Sequence, residues 1–110
     1  MEEWSSWRPM PSPENCRDLR GPKGPGLYQV RNKETDEYIL FGISIQCHDR
    51  MKSLYPIPYG VGNRESNDKR QYILKNWMTL EYRTLETKTR VQAAFIEKEL
   101  KSLNNHKWNT

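Results

Sequence analysis

Five of the seven prolines in this 110-residue chain (Pro9, Pro11, Pro13, Pro22 and Pro25) fall within its first 25 positions. Proline has a fixed φ and no N–H to donate, so this quarter of the chain cannot form a helix or a central strand. Regular structure is expected to begin at Gly26, which divides the chain into a proline-rich arm, 1–25, and a folded region, 26–110. Trp4 and Trp7 favour an arm lying on that region as a strap, because freely moving tails are poor in large aromatics. A second punctuated stretch, Tyr55 to Asn63, carries Pro56 and Pro58 and ends in glycines, and reads as a stiffened loop.

Between these punctuation marks the apolar spacing alternates between two periods. Tyr28 and Val30 alternate with Gln29 and Arg31, and 38–43 is almost wholly apolar. The charged run 32–37 joins these two strands as a hairpin turn. A short helix is expected over 46–55, stopped by Pro56, and a second over 67–77. Met78, Leu80 and Tyr82 alternate with polar residues, which predicts a third strand over 78–84. Ala93, Ile96, Leu100 and Leu103 form one stripe of a last helix over 88–104, with Glu97 at its margin. The order β-β-α-α-β-α predicts an α+β fold: a three-stranded antiparallel sheet flanked by helices.

Composition narrows the function classes. Hydrophobic residues make up 35% and the mean hydropathy is -1.02, so the six Tyr and four Trp must supply much of the core. No apolar run approaches the roughly 18 residues needed to span a bilayer, and the start of the chain lacks the pattern of a signal peptide, so a cytoplasmic protein without a membrane partner is expected. Cys16 and Cys47 show neither a Cys-x-x-Cys spacing nor a ligand cluster, which predicts reduced thiols. The net charge of +4 arises entirely from residues 26–110, where fourteen Lys and Arg face ten Asp and Glu. A phosphate-bearing partner is compatible with that excess, and so is a solvated surface.

The motifs point further. Gly26-Leu27-Tyr28 opens the first expected strand, and Leu40-Phe41-Gly42 lies in the second. Arg50 follows Gly42 by eight residues, and Asn109 follows Glu97 by twelve. This order and spacing resemble the GIY-YIG nuclease superfamily over about residues 25–110. The resemblance implies a DNA endonuclease, acting on duplex or branched DNA, that hydrolyses phosphodiesters with Mg²⁺ or Mn²⁺. It assigns Tyr28 to activation of the water, Arg50 to the scissile phosphate and Glu97 to the metal, with Gly26, Gly42 and Asn109 in support. It also allows a homodimer. One carboxylate is chemically sufficient for Mg²⁺, which keeps several waters.

Two hydroxyls common in the family are absent, because Leu40 and Leu54 stand at the places of tyrosines. Tyr38 lies two residues before Leu40, so ordinary strand alternation puts it on the same face as a partial substitute. Lys69, Arg70 and Lys75, interleaved with Tyr72 and Trp77, are candidates to track a nucleic-acid backbone, or else form a solvated helix face. His48 and His106 are expected at exposed positions without a role. Taken singly, each site residue has a plain structural reading: Tyr28 as strand packing, Arg50 as a surface cation, Glu97 as an ion-pair partner of Lys101. Two other classes therefore stand beside the enzyme: a binding module of the same fold that has lost catalysis, and a protein-interaction module using the Trp4 and Trp7 arm.

Overall fold

A computed structural model describes residues 4–57, 59–61 and 68–108. The hairpin forms where the alternation predicts it, as β2 (Gly26–Asn32) and β3 (Tyr38–Ser44), with β1 (Arg8–Pro9) preceding them. The side-chain oxygen of Asn32 accepts from the backbone N–H groups of Glu34 and Thr35 at 2.8 and 3.1 Å, and Asp36 takes a left-handed φ of 60°. Such local bonds offer the backbone an alternative to the ladder and turn the chain. Next come α1 (Cys47–Met51), a 3₁₀ turn over Lys52–Leu54, α2 (Asp68–Asn76), β4 (Leu80–Glu86) and α3 (Arg90–Leu103). Thr89 caps α3 by accepting from the backbone N–H of Gln92, and Asn104 ends it in the left-handed conformation with φ 50°.

The sheet has four strands and not three, in the order β1-β4-β2-β3, all antiparallel. The additional strand comes from the arm: Arg8 pairs with Tyr82 and Pro9 with Glu81. At an edge, proline's missing donor costs little, so the ban on a central strand leaves this position open. The backbone N–H groups of Ser5 and Met10 extend the pairing to the carbonyls of Thr84 and Leu80. Further along, Met10, Cys16 and Leu19 enter the main core, so the arm is built into the same body.

Helices cover both faces of the sheet. On one face Tyr28, Val30, Leu40, Leu80 and Tyr82 pack with Cys47, Met51 and Leu54 from the α1 region and Ile73 from α2. On the other, Leu27 and Leu85 pack with Ala93, Ile96 and Leu100 of α3, joined by Ile43 and Trp4. Leu103, expected in that stripe, is 63% exposed, and Met78 lies before β4 at 64% exposure. Cys16 and Cys47 are free and buried, and burial pushes the Cys47 thiol up to about 12. No described helix is long and apolar enough to cross a membrane.

Candidate functional site

Tyr28 and Gly42 face each other across the β2–β3 ladder. A Cβ on Gly42 would run into the Tyr28 hydroxyl, and one on Gly26 would come within 2.7 Å of the Leu85 carbonyl and 2.8 Å of Pro22. No described glycine has a positive φ, so the two motif glycines are required for space and not for backbone conformation. The absent side chain at position 42 lets the Tyr28 ring lie across β3, the edge strand.

Tyr28 borders a cavity of about 110 Å³ together with Leu40, Phe41, Arg50, Ser53, Leu54, Lys69 and Arg70. A more open cleft continues from it, sharing Arg50, Ser53 and Arg70 and adding Ser44, Gln46 and Asp49. Three cations thus meet at a cavity with no carboxylate among its described lining residues. Arg50 comes from α1 and Lys69 and Arg70 from the first turn of α2; Arg70 donates from Nε to the Ser53 carbonyl at 2.6 Å, which fixes its guanidinium at the wall. Burial, and then the like charges of Arg70 and Arg50, lower the pKa of Lys69. An arriving anion would relieve that crowding. Burial also raises the pKa of the Tyr28 phenol; the charge of Arg50, a weaker hydrogen-bonding contact with it and the charge of Arg70 offset this only in part. Tyr28 is consequently a neutral hydroxyl at neutral pH.

The structure brings Tyr28, Arg50, Lys69 and Arg70 together, with Gly42 making room. Leu40 and Leu54 line the same cavity as apolar wall, where the resemblance leads one to expect hydroxyls. Glu97 does not line it. Its helix packs beneath the Leu27 and Ile43 face while Tyr28 belongs to the opposite face, and its carboxylate lies 4.0 Å from the Lys101 ammonium. Asn109 lies outside the described residues. Among the described residues, no group of three or more His, Cys, Asp or Glu gathers as a metal site. The Glu97 side chain is 22% exposed, and as a lone carboxylate it suits only a hard cation that keeps most of its waters.

Three expectations need correction. Tyr38 does not share the face of Leu40: the β2–β3 register shifts between Val30 and Arg31, and Tyr38 stacks instead on His106 with ring centroids 5.1 Å apart. A bulge adds one residue and so reverses the alternation on which that expectation rested. His106 is buried, not exposed, and meets Gln29 at 3.0 Å. Lys75 is separated from Lys69 and Arg70 and borders a different cleft with Tyr72 and Trp108. Sequence reasoning missed Ser53 at the cavity, because an isolated serine carries no spacing signal. No protein-family model, curated protein or solved structure matches this chain.

Proposed function

We propose that this protein is a metal-dependent endonuclease that hydrolyses DNA phosphodiester bonds. The observation that supports the reading is the meeting of Tyr28 and Arg50 with Lys69 and Arg70 in one cavity with no carboxylate among its described lining residues. A phosphodiester carries a negative charge that grows on its oxygens as a nucleophile adds, and preorganised cations stabilise that growth more than they stabilise the ground state. Arg50 has the planar fork that suits two phosphoryl oxygens, and Lys69 and Arg70 add point and fork charges beside it. Tyr28, held neutral by burial, serves as a hydroxyl that orients water and passes a proton on, and not as a standing phenolate.

Glu97 is the residue that would hold Mg²⁺ or Mn²⁺; its helix packs on the face of the sheet opposite Tyr28. A cation held there would supply Lewis acidity to the reaction. A second reading, a phosphate-binding module without cleavage, is favoured by the apolar Leu40 and Leu54 in the cavity wall. An interaction module using the arm has less support, since the Trp4 and Trp7 rings are both engaged with arginines of the sheet.

Incubation with plasmid and branched DNA in Mg²⁺ or Mn²⁺ separates the first two readings. The nuclease reading expects cutting that disappears with EDTA and with Glu97→Ala. Binding without cutting selects the module, and cutting that survives Glu97→Ala removes the metal role from that residue.

A further inference from the structure

The nine-residue helix α2 borders two sites. Lys69 and Arg70 line the Tyr28 cavity, while Gln71, Tyr72, Lys75 and Asn76 line a separate, shallow cleft of about 300 Å³ together with Asp68 at its start and Lys107 and Trp108 opposite. A helix of this length runs about 13 Å, a span that a few nucleotides cover. Tyr72 and Trp108 are only partly buried and stand edge to face, with centroids 5.4 Å apart at 71°. The Lys107 ammonium lies 5.5 Å from one ring centroid and 5.2 Å from the other.

Trp108 is held in place by the backbone. Lys107 N–H donates to the Tyr38 carbonyl at 3.0 Å and Trp108 N–H to the Ile39 carbonyl at 2.8 Å, so the chain end lies along the edge of β3. The aromatic pair therefore keeps its geometry without a ligand, which lowers the entropic cost of binding a flat group.

We infer that this cleft is a nucleobase-stacking subsite for an unpaired nucleotide of a single strand whose neighbouring phosphate occupies the Tyr28 cavity. It rests on the proposed reading for the second half of that statement only. An aromatic face accepts any base, Lys75 and Lys107 are placed for the flanking phosphates, and the Gln71 and Asn76 amides offer hydrogen bonds to a base edge. A base arriving on the rings displaces the Lys107 ammonium, which moves to a phosphate. The substrate class is then DNA with an unpaired segment, such as a flap, fork or branch, and not continuous duplex.

The experiment measures binding in EDTA, where cutting plays no part. Tryptophan fluorescence and anisotropy are followed with a short thymidine oligonucleotide, the same oligonucleotide with abasic sugars in its centre, and a blunt duplex of equal length. The intact single strand is expected to bind roughly ten-fold more tightly than the abasic one and to quench tryptophan emission. Tyr72→Leu should abolish that ten-fold preference, and Lys107→Glu should weaken both single strands. Equal affinity for intact and abasic strands, or tighter binding of the duplex, overturns the inference even if Tyr72→Leu fails to fold. Cutting absent with the base preference present removes the nuclease reading and leaves this one standing; cutting present without the preference does the reverse.

Discussion

The two faces of the sheet hold their cations in different ways. On the α3 face Arg31 pairs with Glu81 at 2.5 Å, Arg83 donates to Gln29 at 2.7 Å, and Gln29 meets His106. The Trp7 ring lies over both arginines, 4.0 Å from Arg31 and 4.6 Å from Arg83, and Trp4 lies 4.4 Å from Arg83. Each charge there has been answered from within the chain. On the α1–α2 face Arg50, Lys69 and Arg70 line a cavity to which no described carboxylate contributes. Positive charge compensated internally stabilises a fold, whereas cations gathered at one cavity raise the local potential and favour an anion there. The comparison sets a structural face against the face of the proposed chemistry, with Glu97 the one proposed site residue carried on the α3 side.

The largest expected effect tests the chemical face. Tyr28→Phe removes one hydroxyl and keeps the ring, so cutting should fall about 100-fold or more while DNA affinity and melting temperature stay near wild type. Arg50→Ala should lower both cutting and affinity, because its charge meets the phosphate before and during reaction. Wild-type rates for Tyr28→Phe would make that tyrosine a packing residue and leave water activation to be assigned elsewhere; Tyr38, stacked on His106, is not placed to take it over.

Gly42→Val joins the two faces in one measurement. The new side chain must displace the Tyr28 ring or the strand, costing about 1–3 kcal/mol by overpacking, and cutting should fall with it. A stable, fully active variant would show that Tyr28 does not need its position across β3.

Trp7→Ala probes the structural face. Loss of its cation–π contacts with Arg31 and Arg83 should cost about 1–2 kcal/mol in urea unfolding. Rates of cutting on a branched substrate should not change below the melting transition. A lowered DNA affinity without a stability change would reverse the assignment of the two faces.

The smallest effect is a pH slope. Burial holds the His106 imidazole below its ordinary range, and its Nδ1 finds no hydrogen-bond partner among the described residues. The unfolded chain then takes up a proton near pH 6.5 that the folded chain accepts only at lower pH. Stability is unaffected by this group above pH 6.5 and declines as pH falls from there through the folded pKa. Melting temperatures between pH 7.5 and 5 should show that decline, and His106→Gln should flatten it. An unchanged slope in the variant would transfer the pH dependence to another group.

Local periodicity made much of this molecule legible. Alternation located β2 and β3 to within a residue and put Tyr28 and Val30 on one face, and the helical stripe of Ala93, Ile96 and Leu100 identified the buried side of α3. Proline positions kept the arm out of helices longer than one short 3₁₀ segment, Pro13–Asp18. The cations were also readable as residues of two short helices that the spacing predicts, Arg50 in the last turn of α1 and Lys69 and Arg70 in the first turn of α2.

What remained hidden depends on backbone pairing, and every residue but proline carries the same donor and acceptor. Nothing in Arg8–Pro9 announces a strand against Tyr82 and Glu81, and nothing in Lys107 and Trp108 announces that their N–H groups will meet Tyr38 and Ile39. The bulge that turns Tyr38 toward His106 is likewise a property of two strands in register, not of either one. Sequence by itself determined the elements, their inward faces and the residue types available for phosphate chemistry. Only the tertiary structure decided which cations share a cavity, that Glu97 lies on a helix behind the sheet, and that Trp108 stands beside Tyr72, because each of those outcomes is set by long-range contacts that leave no period in the chain.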